Sequence, residues 1–396
     1  MNSARVREGE GFSGWSATSQ VSCWDAAVVG AGPAGAMAAY EMSRMGKQVL
    51  LLERRTFPRW KVCGATLSPG VQDLLARSGL DDLLSDLGAR PLHSLRLGGW
   101  SNQAHLPLHG TVAISRTSLD LALVERAESQ GTQFQSGVRA KLGPLLSDRR
   151  VLKVSKGKEE VEVSARVVIA ADGLNSGLLS QAGLPSRTFP SGGRPVIGLG
   201  GVFSSPPSQM EAGVIHMAVG EDGYVGMVRV EDGSLNVAAA LNPQALKDAE
   251  SPDALVNKIV QGGGWPGFMG PPDFGWKGTP ELTRRPPRPG AERLLAVGDA
   301  SGYVEPFTGE GMFWALSGAR ALAPLAARAD TFWDPALLTE WERIHGGSIG
   351  RSQRLCRFAA WTLSRPLLSR SLLWVLKDHP RLADPVVRRV GVPLLS

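Results

Sequence analysis

Cysteine is scarce in this chain of 396 residues: only Cys23, Cys63 and Cys356 are present. So small and odd a set excludes a disulfide framework and points to a reducing compartment, the cytoplasm. The six histidines, His93, His105, His109, His216, His345 and His379, are scattered. No Cys pair has zinc-ligand spacing, and no metal is expected. Long apolar runs are missing too. A spanning helix needs ~18 uncharged apolar residues, and the best stretch, Pro366 to Leu376, is interrupted by Arg370. The amino terminus carries Glu8 and Glu10 and no long apolar run, which argues against a secretory leader. Residues 1–22 read as a flexible Gly/Ser-rich extension. Glycine (48) and proline (27) are plentiful, yet together they fall short of the ~25–30 % that marks low complexity. With 43 % hydrophobic and 20 % charged residues, the chain can bury a large core.

Charge is unevenly placed. Residues 340–396 hold nine Arg and one Lys against two Glu and two Asp, so the whole formal net charge of +6 resides there. No aromatic-interleaved basic face or nucleic-acid module accompanies it, and no nucleic-acid partner is expected. Two readings stay open for this region: a solvated basic helical surface, or a peripheral contact with a membrane surface.

The first motif sits near the start. Asp25 to Val29 reads as a buried strand, Gly30-Ala-Gly32-Pro33-Ala34-Gly35 as a tight loop, Ala36 to Met45 as a helix, and Gln48 to Leu52 as a second strand ending at Glu53. A strand, a glycine loop, a helix, a strand and an acid form the dinucleotide fingerprint in its full context. Gly30 permits the turn, Gly32 lets a pyrophosphate approach the backbone, and Gly35 lets the helix pack on the strand. The helix N-terminus offers free N–H groups and partial positive charge to phosphates. Glu53 suits both ribose hydroxyls and would repel a 2′-phosphate, which excludes NADP at this site. The motif alone leaves FAD and NAD open.

The second motif lies far downstream. Arg293 to Val297 reads as a strand, followed by Gly298-Asp299-Ala-Ser-Gly302, then Pro306, Gly309, Gly311 and an apolar helix from Met312 to about Leu325. An Asp just past a strand and beside Gly can bond a chain of hydroxyls. A helix that starts at Gly311 can aim its positive end at a flavin ring and stabilise the reduced ring.

Together with Ala171-Asp172-Gly173 and Glu53-Arg54, these motifs resemble the FAD-dependent oxidoreductases of the group A flavin monooxygenase and geranylgeranyl reductase-like superfamily. The resemblance spans residues 25 to 325. It implies an α/β fold: a Rossmann-type FAD-binding domain interleaved with an antiparallel β-sheet substrate domain and a C-terminal helical segment. It implies FAD as cofactor, with Asp299 at the ribityl chain and Gly309, Gly311 and Met312 at the flavin ring. It places Arg116 near the FAD phosphates, Val138, in the strand after Gly137, by the adenine, and Asp172 in the second glycine signature. Without that likeness, Arg116 is a solvated helix-start arginine, and Thr117 with Asp120 reads as a capping box. Where hydroxylases carry an arginine after Ser176, this chain has Leu178 and Leu179. The Cys63-Gly64 loop resembles the cysteine-glycine loop that runs beside the flavin in the reductases.

Val196 to Phe203, Gly213 to Val219, Tyr224 to Val230 and Leu235 to Leu241 read as strands of an antiparallel sheet, with clean alternation in the last. Tyr224 and Trp265 are candidate substrate contacts, each also readable as a packing residue. The Gly262 to Arg288 stretch reads as an ordered loop. Residues 23–90, 114–186 and 289–329 are assigned to the FAD domain, 91–113 and 187–288 to the substrate domain, and 330–396 to the helical region.

No second fingerprint with its acid, no CxxC and no WxWxIP tryptophan signature occurs, which argues against disulfide reductases and flavin halogenases. The expected activity is a FAD-dependent oxidoreductase working on a small lipophilic or natural-product-like molecule by flavin hydride transfer, as C=C reduction or dehydrogenation. The alternatives are a monooxygenase using NAD(P)H and O₂, a non-catalytic FAD sensor, and an NAD-dependent dehydrogenase that uses only the first fingerprint. NAD(P)H bound transiently, or an electron carrier, is the expected reductant. No catalytic residue is assigned.

Overall fold

The computed structural model describes residues 23–100, 102–190, 194–305, 309–350, 353, 356, 361–362 and 365–383. Its principal elements, in chain order, are β1 (Trp24–Val29), α1 (Pro33–Arg44), β2 (Val49–Glu53), β3 (Arg90–Gly99), β4 (Asn102–Ala113), α2 (Arg116–Ser129), β5 (Gln133–Ser136) and β6 (Glu159–Ala170). There follow β7 (Ile197–Phe203), β8 (Val214–Gly220), β9 (Gly223–Arg229), β10 (Leu235–Leu241), α3 (Pro252–Gly262), β11 (Lys277–Glu281), β12 (Leu294–Ala296), α4 (Gly311–Ala326), α5 (Ala336–Ile344) and α6 (Pro366–Asp378). The N-terminal extension and Pro306 lie outside the described residues.

The parallel sheet runs β12–β6–β1–β2–β5. β1, β2 and β12 are buried on both faces, which explains their continuous apolar sequences. One face packs on α1, α2 and α4 through Met37, Met42, Leu123, Phe313 and Leu316. The other holds Ala27, Leu50, Leu52 and Val168 against Leu178 and Leu179. Burying both faces forces the β1–α1–β2 crossover, and with it the ligand crevice, to the C-terminal strand ends.

The second sheet runs β11–β7–β10–β9–β8–β3–β4 and is antiparallel apart from the β8–β3 pair. Its outer face packs on α3, where Val225, Met227 and Val237 meet Val256, Ile259 and Val260. Its inner face turns toward the parallel sheet. The Gly262 to Arg288 stretch is not all loop: Lys277–Glu281 pairs with β7. The helix after the first motif begins at Pro33, earlier than expected, because proline suits the first helical position.

Candidate functional site

Between the two sheets lies one cavity of about 1480 Å³. That exceeds the ~300–1,000 Å³ of a typical small-molecule pocket, so it has room for a cofactor and a second ligand.

The nucleotide end is built by the loop between β1 and α1. Gly30 has φ +104°, and a Cβ there would collide with the Ala171 carbonyl. A Cβ on Gly35 would overlap the Gly30 carbonyl, so α1 seats directly on the strand end. Gly32 caps α1 without any side-chain hydrogen bond, and the first turn carries no acid. Its N–H groups therefore stay available to an anion. Glu53 accepts from the Ala31 N–H (3.0 Å) and from the Arg55 N–H (3.0 Å), which fixes the carboxylate at the end of β2.

Two arginines face this loop. An ideal Cβ on Gly32 would lie 3.7 Å from Arg116 Nη2 and 3.8 Å from Arg59 Nη2. Asp120, fully buried, accepts from both Arg116 Nε and Nη2 (2.7 Å each) and from Arg59 Nη1 (3.0 Å). Arg59 also reaches Glu53 at 3.5 Å. The two cations and two carboxylates balance, and a diphosphate would add negative charge on their open side. Burial alone would lower the Arg116 pKa; the paired Asp120 more than reverses this. Arg116 is thus a buried, ion-paired group and not a solvated one. The capping-box reading also fails. Ser115 caps α2, accepting from the Ser118 N–H at 3.1 Å, because Asp120 is committed to the arginines. Glu231, in the turn after β9, accepts from the Ser115 N–H (2.8 Å) and thereby clamps the start of α2.

The second motif meets the first. Its Gly298 comes so close to α1 that a Cβ there would sit 2.7 Å from Ala34 Cβ. Asp299 lies in the turn Gly298–Ser301, held by Ser301 Oγ donating to the Gly298 carbonyl (2.7 Å) and by His345 Nε2 on Ser301 Oγ (2.9 Å). α4 begins at Gly311 with no acid in its first turn and no side-chain cap, so a second helix N-terminus opens on the same cavity.

The cavity wall includes Gly30, Gly32, Pro33, Ala34, Glu53, Arg54, Cys63, Gly64, Arg116, Val138, Asp172, Gly298, Asp299, Gly309, Gly311, Met312 and Tyr224. Gly35 lies behind it as a packing residue. Val138 is not in a strand: it links Gln133–Ser136 to the strand Arg139–Leu145, and its N–H donates to the Glu53 carbonyl at 2.9 Å. Trp265 does not reach the cavity. It is buried on the outer face of the second sheet, edge-on to His216, because the tight turn after α3 folds it into that core. Trp276 is on the same outer face, bonded to Asp253.

Three cavity residues, Arg59, Lys61 and Tyr303, have no ligand role assignable from sequence, nor does Asp120 behind the wall, read there only as a helix cap. Burial pushes the Lys61 ammonium below its ordinary pKa, and Asp299 opposes that shift. Asp172 Oδ1 is buried with no hydrogen-bond partner, and burial raises its carboxyl pKa. An orphaned acceptor, an uncapped helix start and a matched arginine pair fit a ligand with hydroxyls and phosphates. The Cys63-Gly64 loop is held by Asn236, whose Nδ2 donates to the Cys63 carbonyl at 2.8 Å.

Beyond the flavin-proximal motifs the cavity continues as an apolar arm. Leu95, Leu97, Leu106, Ile215 and Met217 line it from the second sheet, and Leu372, Val375 and Leu376 from α6. Tyr224 stands between the two regions. Its hydroxyl bonds to Glu305, and burial first, then that carboxylate, raises its pKa well above the ordinary value.

The FAD binding domain family matches residues 24–331. The chain is 28 % identical over 362 residues to a menaquinone reductase of Mycobacterium tuberculosis, covering 86 % of this chain and 84 % of that one. It is 26 % identical over 344 residues to conditioned medium factor receptor 1 of Dictyostelium discoideum, where it spans 77 % of itself but only 63 % of the relative's length. Among solved structures, the flavin-dependent brominase Bmp2 superposes with a TM-score of 0.75 at 16 % identity, covering 93 % and 94 % of the two chains. At that identity the likeness is one of fold.

Proposed function

Because the chain belongs to the FAD binding domain family and is a FAD-dependent oxidoreductase, we propose that it reduces an apolar, quinone-like acceptor held in the arm between the second sheet and α6. The observation that carries this reading is the continuity of the cavity. One space runs from Gly32, Arg59 and Arg116 past Asp299 and Gly311 to an arm walled by leucine, isoleucine and methionine. A polar substrate would leave its hydrogen-bonding groups unpaired there, which costs about 1–3 kcal/mol per group. The menaquinone reductase relative supports the same acceptor chemistry.

In this reading the Arg59–Asp120–Arg116 frame and the α1 N-terminus hold the diphosphate, Glu53 the adenosine ribose, and Asp299 the ribityl hydroxyls. FAD, when bound, supplies a hydride that can be passed on. The chain's own part is to orient and to exclude water. The α4 N-terminus, on the cavity wall, would lend positive potential to a ring held beside it. Tyr224 Oη keeps its proton across the physiological range, committed to Glu305, so the ring enters the cavity as a neutral wall.

The test is anaerobic. Protein loaded with FAD is reduced chemically and mixed with a menaquinone carrying an isoprenoid tail, and the return of oxidised-flavin absorbance is followed. Fast return, with a product two hydrogens heavier by mass spectrometry, supports the proposal. Return only with O₂, with oxygen added to a substrate, would make it a hydroxylase. A flavin that no acceptor reoxidises would make it a sensor.

A further inference from the structure

We infer that α6 and the turn after it form a docking surface for a bilayer bearing anionic headgroups, and that the apolar arm opens on that surface. This goes beyond the reductase reading and stands without it.

The helix has two apolar faces, which a helix packed on one side does not need. Leu373 and Leu376 are buried against Leu97, Ala104 and Val219 of the second sheet. The opposite side carries Leu367 and Trp374, 78 % and 64 % exposed and seven residues apart, hence on one stripe. Leu368 and Trp361 lie partly exposed nearby, and Leu382, in the 3₁₀ turn Pro380–Ala383, is 63 % exposed. Large apolar side chains concentrated in this way mark an interaction site, whereas scattered ones need no explanation.

The charges decide the partner. Arg365, Arg370, Lys377 and Arg381 are all exposed around this stripe, with Asp378 the one acid of the helix. Arg365 stacks on Trp361 at 3.9 Å, which keeps the guanidinium at the level of the ring. Aromatic and leucine anchors ringed by cations match an interface of acyl chains below anionic headgroups. A second copy of the chain is disfavoured, because a two-fold contact would set these cations against themselves.

The position of the cavity adds an independent argument. Leu382 lines the apolar arm and is also largely exposed, so it stands at an opening. Leu372, Val375 and Leu376 line the arm from the same helix that bears Leu367 and Trp374 outside. An apolar molecule leaving a bilayer beneath α6 would enter without crossing water. No helix among the described residues is long and apolar enough to span a membrane, so the contact lies on the surface.

The test uses the full FAD-loaded chain, sedimented with vesicles of phosphatidylcholine alone or mixed with phosphatidylglycerol. Binding should be strong on the mixed vesicles, weak on the neutral ones, and reduced by salt. W374E should lower partitioning at least ten-fold. R370E and K377E should each lower it roughly five-fold on mixed vesicles only. None of these residues lines the cavity, so flavin content, melting temperature and turnover of a short, water-soluble quinone should stay unchanged. Failure of the reductase reading would instead appear as lost turnover with vesicle binding intact. The inference is overturned if the parent does not sediment with mixed vesicles, if W374E binds as the parent does, or if light scattering shows that W374E dissolves a dimer.

Discussion

At one end of the cavity Gly30, Gly32, Arg59 and Arg116 present backbone and charge; at the other Leu97, Leu106, Met217 and Leu376 present only apolar surface. The first end tolerates almost no change. Its geometry depends on atoms that touch at their limits, and its charges are buried in a balanced set. The second end depends on shape, which many combinations of apolar residues can supply. In the proposed reading the first end holds a diphosphate and a ribose, which are always the same chemical objects and call for specific donors. An apolar tail is bounded by volume alone.

The largest expected effect tests the rigid end. Gly35→Val would drive a side chain into the Gly30 carbonyl, and purified protein should be colourless, with its melting transition lost or sharply lowered. A yellow, normally folded variant would break the contrast.

Next is Asp120→Ala. It leaves Arg59 and Arg116 buried without their shared carboxylate, a change that costs about 3–5 kcal/mol in denaturant titration. FAD should restore part of this, since the diphosphate supplies the missing negative charge. If added FAD recovered nothing, the arginines would not face the phosphates.

Acid probes both regions together. Burial lowers the pKa of His216, behind the second sheet, to about 4, and that of His345, behind the Asp299 turn, also to about 4. An unfolded histidine takes up its proton near pH 6.5. Between pH 6.5 and 4 the unfolded chain therefore binds more protons, and stability falls as pH is lowered, by up to about 3 kcal/mol per ring. His216→Phe should flatten this slope; an unchanged slope would mean that the ring is hydrated.

The mildest effect tests the permissive end. Gly226 lines the arm with Met217 beside it. Gly226→Phe should leave flavin content and melting temperature nearly unchanged, raise KM for a long-tailed quinone about ten-fold, and spare a short one. Equal losses for both would show that the arm does not hold the tail.

The parallel sheet could be read in advance because local signals coincide there. Apolar strands of five or six residues bracket a glycine loop and end at an acid, and each feature constrains the same backbone. The strands of the second sheet could be read for a similar reason: Leu235, Val237, Ala239 and Leu241 alternate with smaller or polar residues and share the core that includes α3, although the folded strand is covered on both faces. Trp265 shows the limit, because a tryptophan in a Gly/Pro-rich stretch carries no sign of which sheet face it will cover. Val138 and the Thr117–Asp120 box failed at element ends, where one hydrogen bond decides. Arg59, Lys61 and Tyr303 received no role because single polar residues carry no period and no spacing.

By itself the sequence determined the two glycine-bordered turns and the acid at the end of β2, since each signal is confined to a few residues; FAD and the fold followed from the likeness of those motifs to a known superfamily. Only the tertiary structure decided that Asp120 holds two arginines from different segments, that Glu231 of the second sheet clamps the helix bearing one of them, and that α6 walls an apolar arm. Apart from the Arg116–Asp120 pair, four positions apart on α2, those arrangements join residues tens to hundreds of positions apart, and burial, which makes their charges and methyl groups count, exists only once the chain has folded.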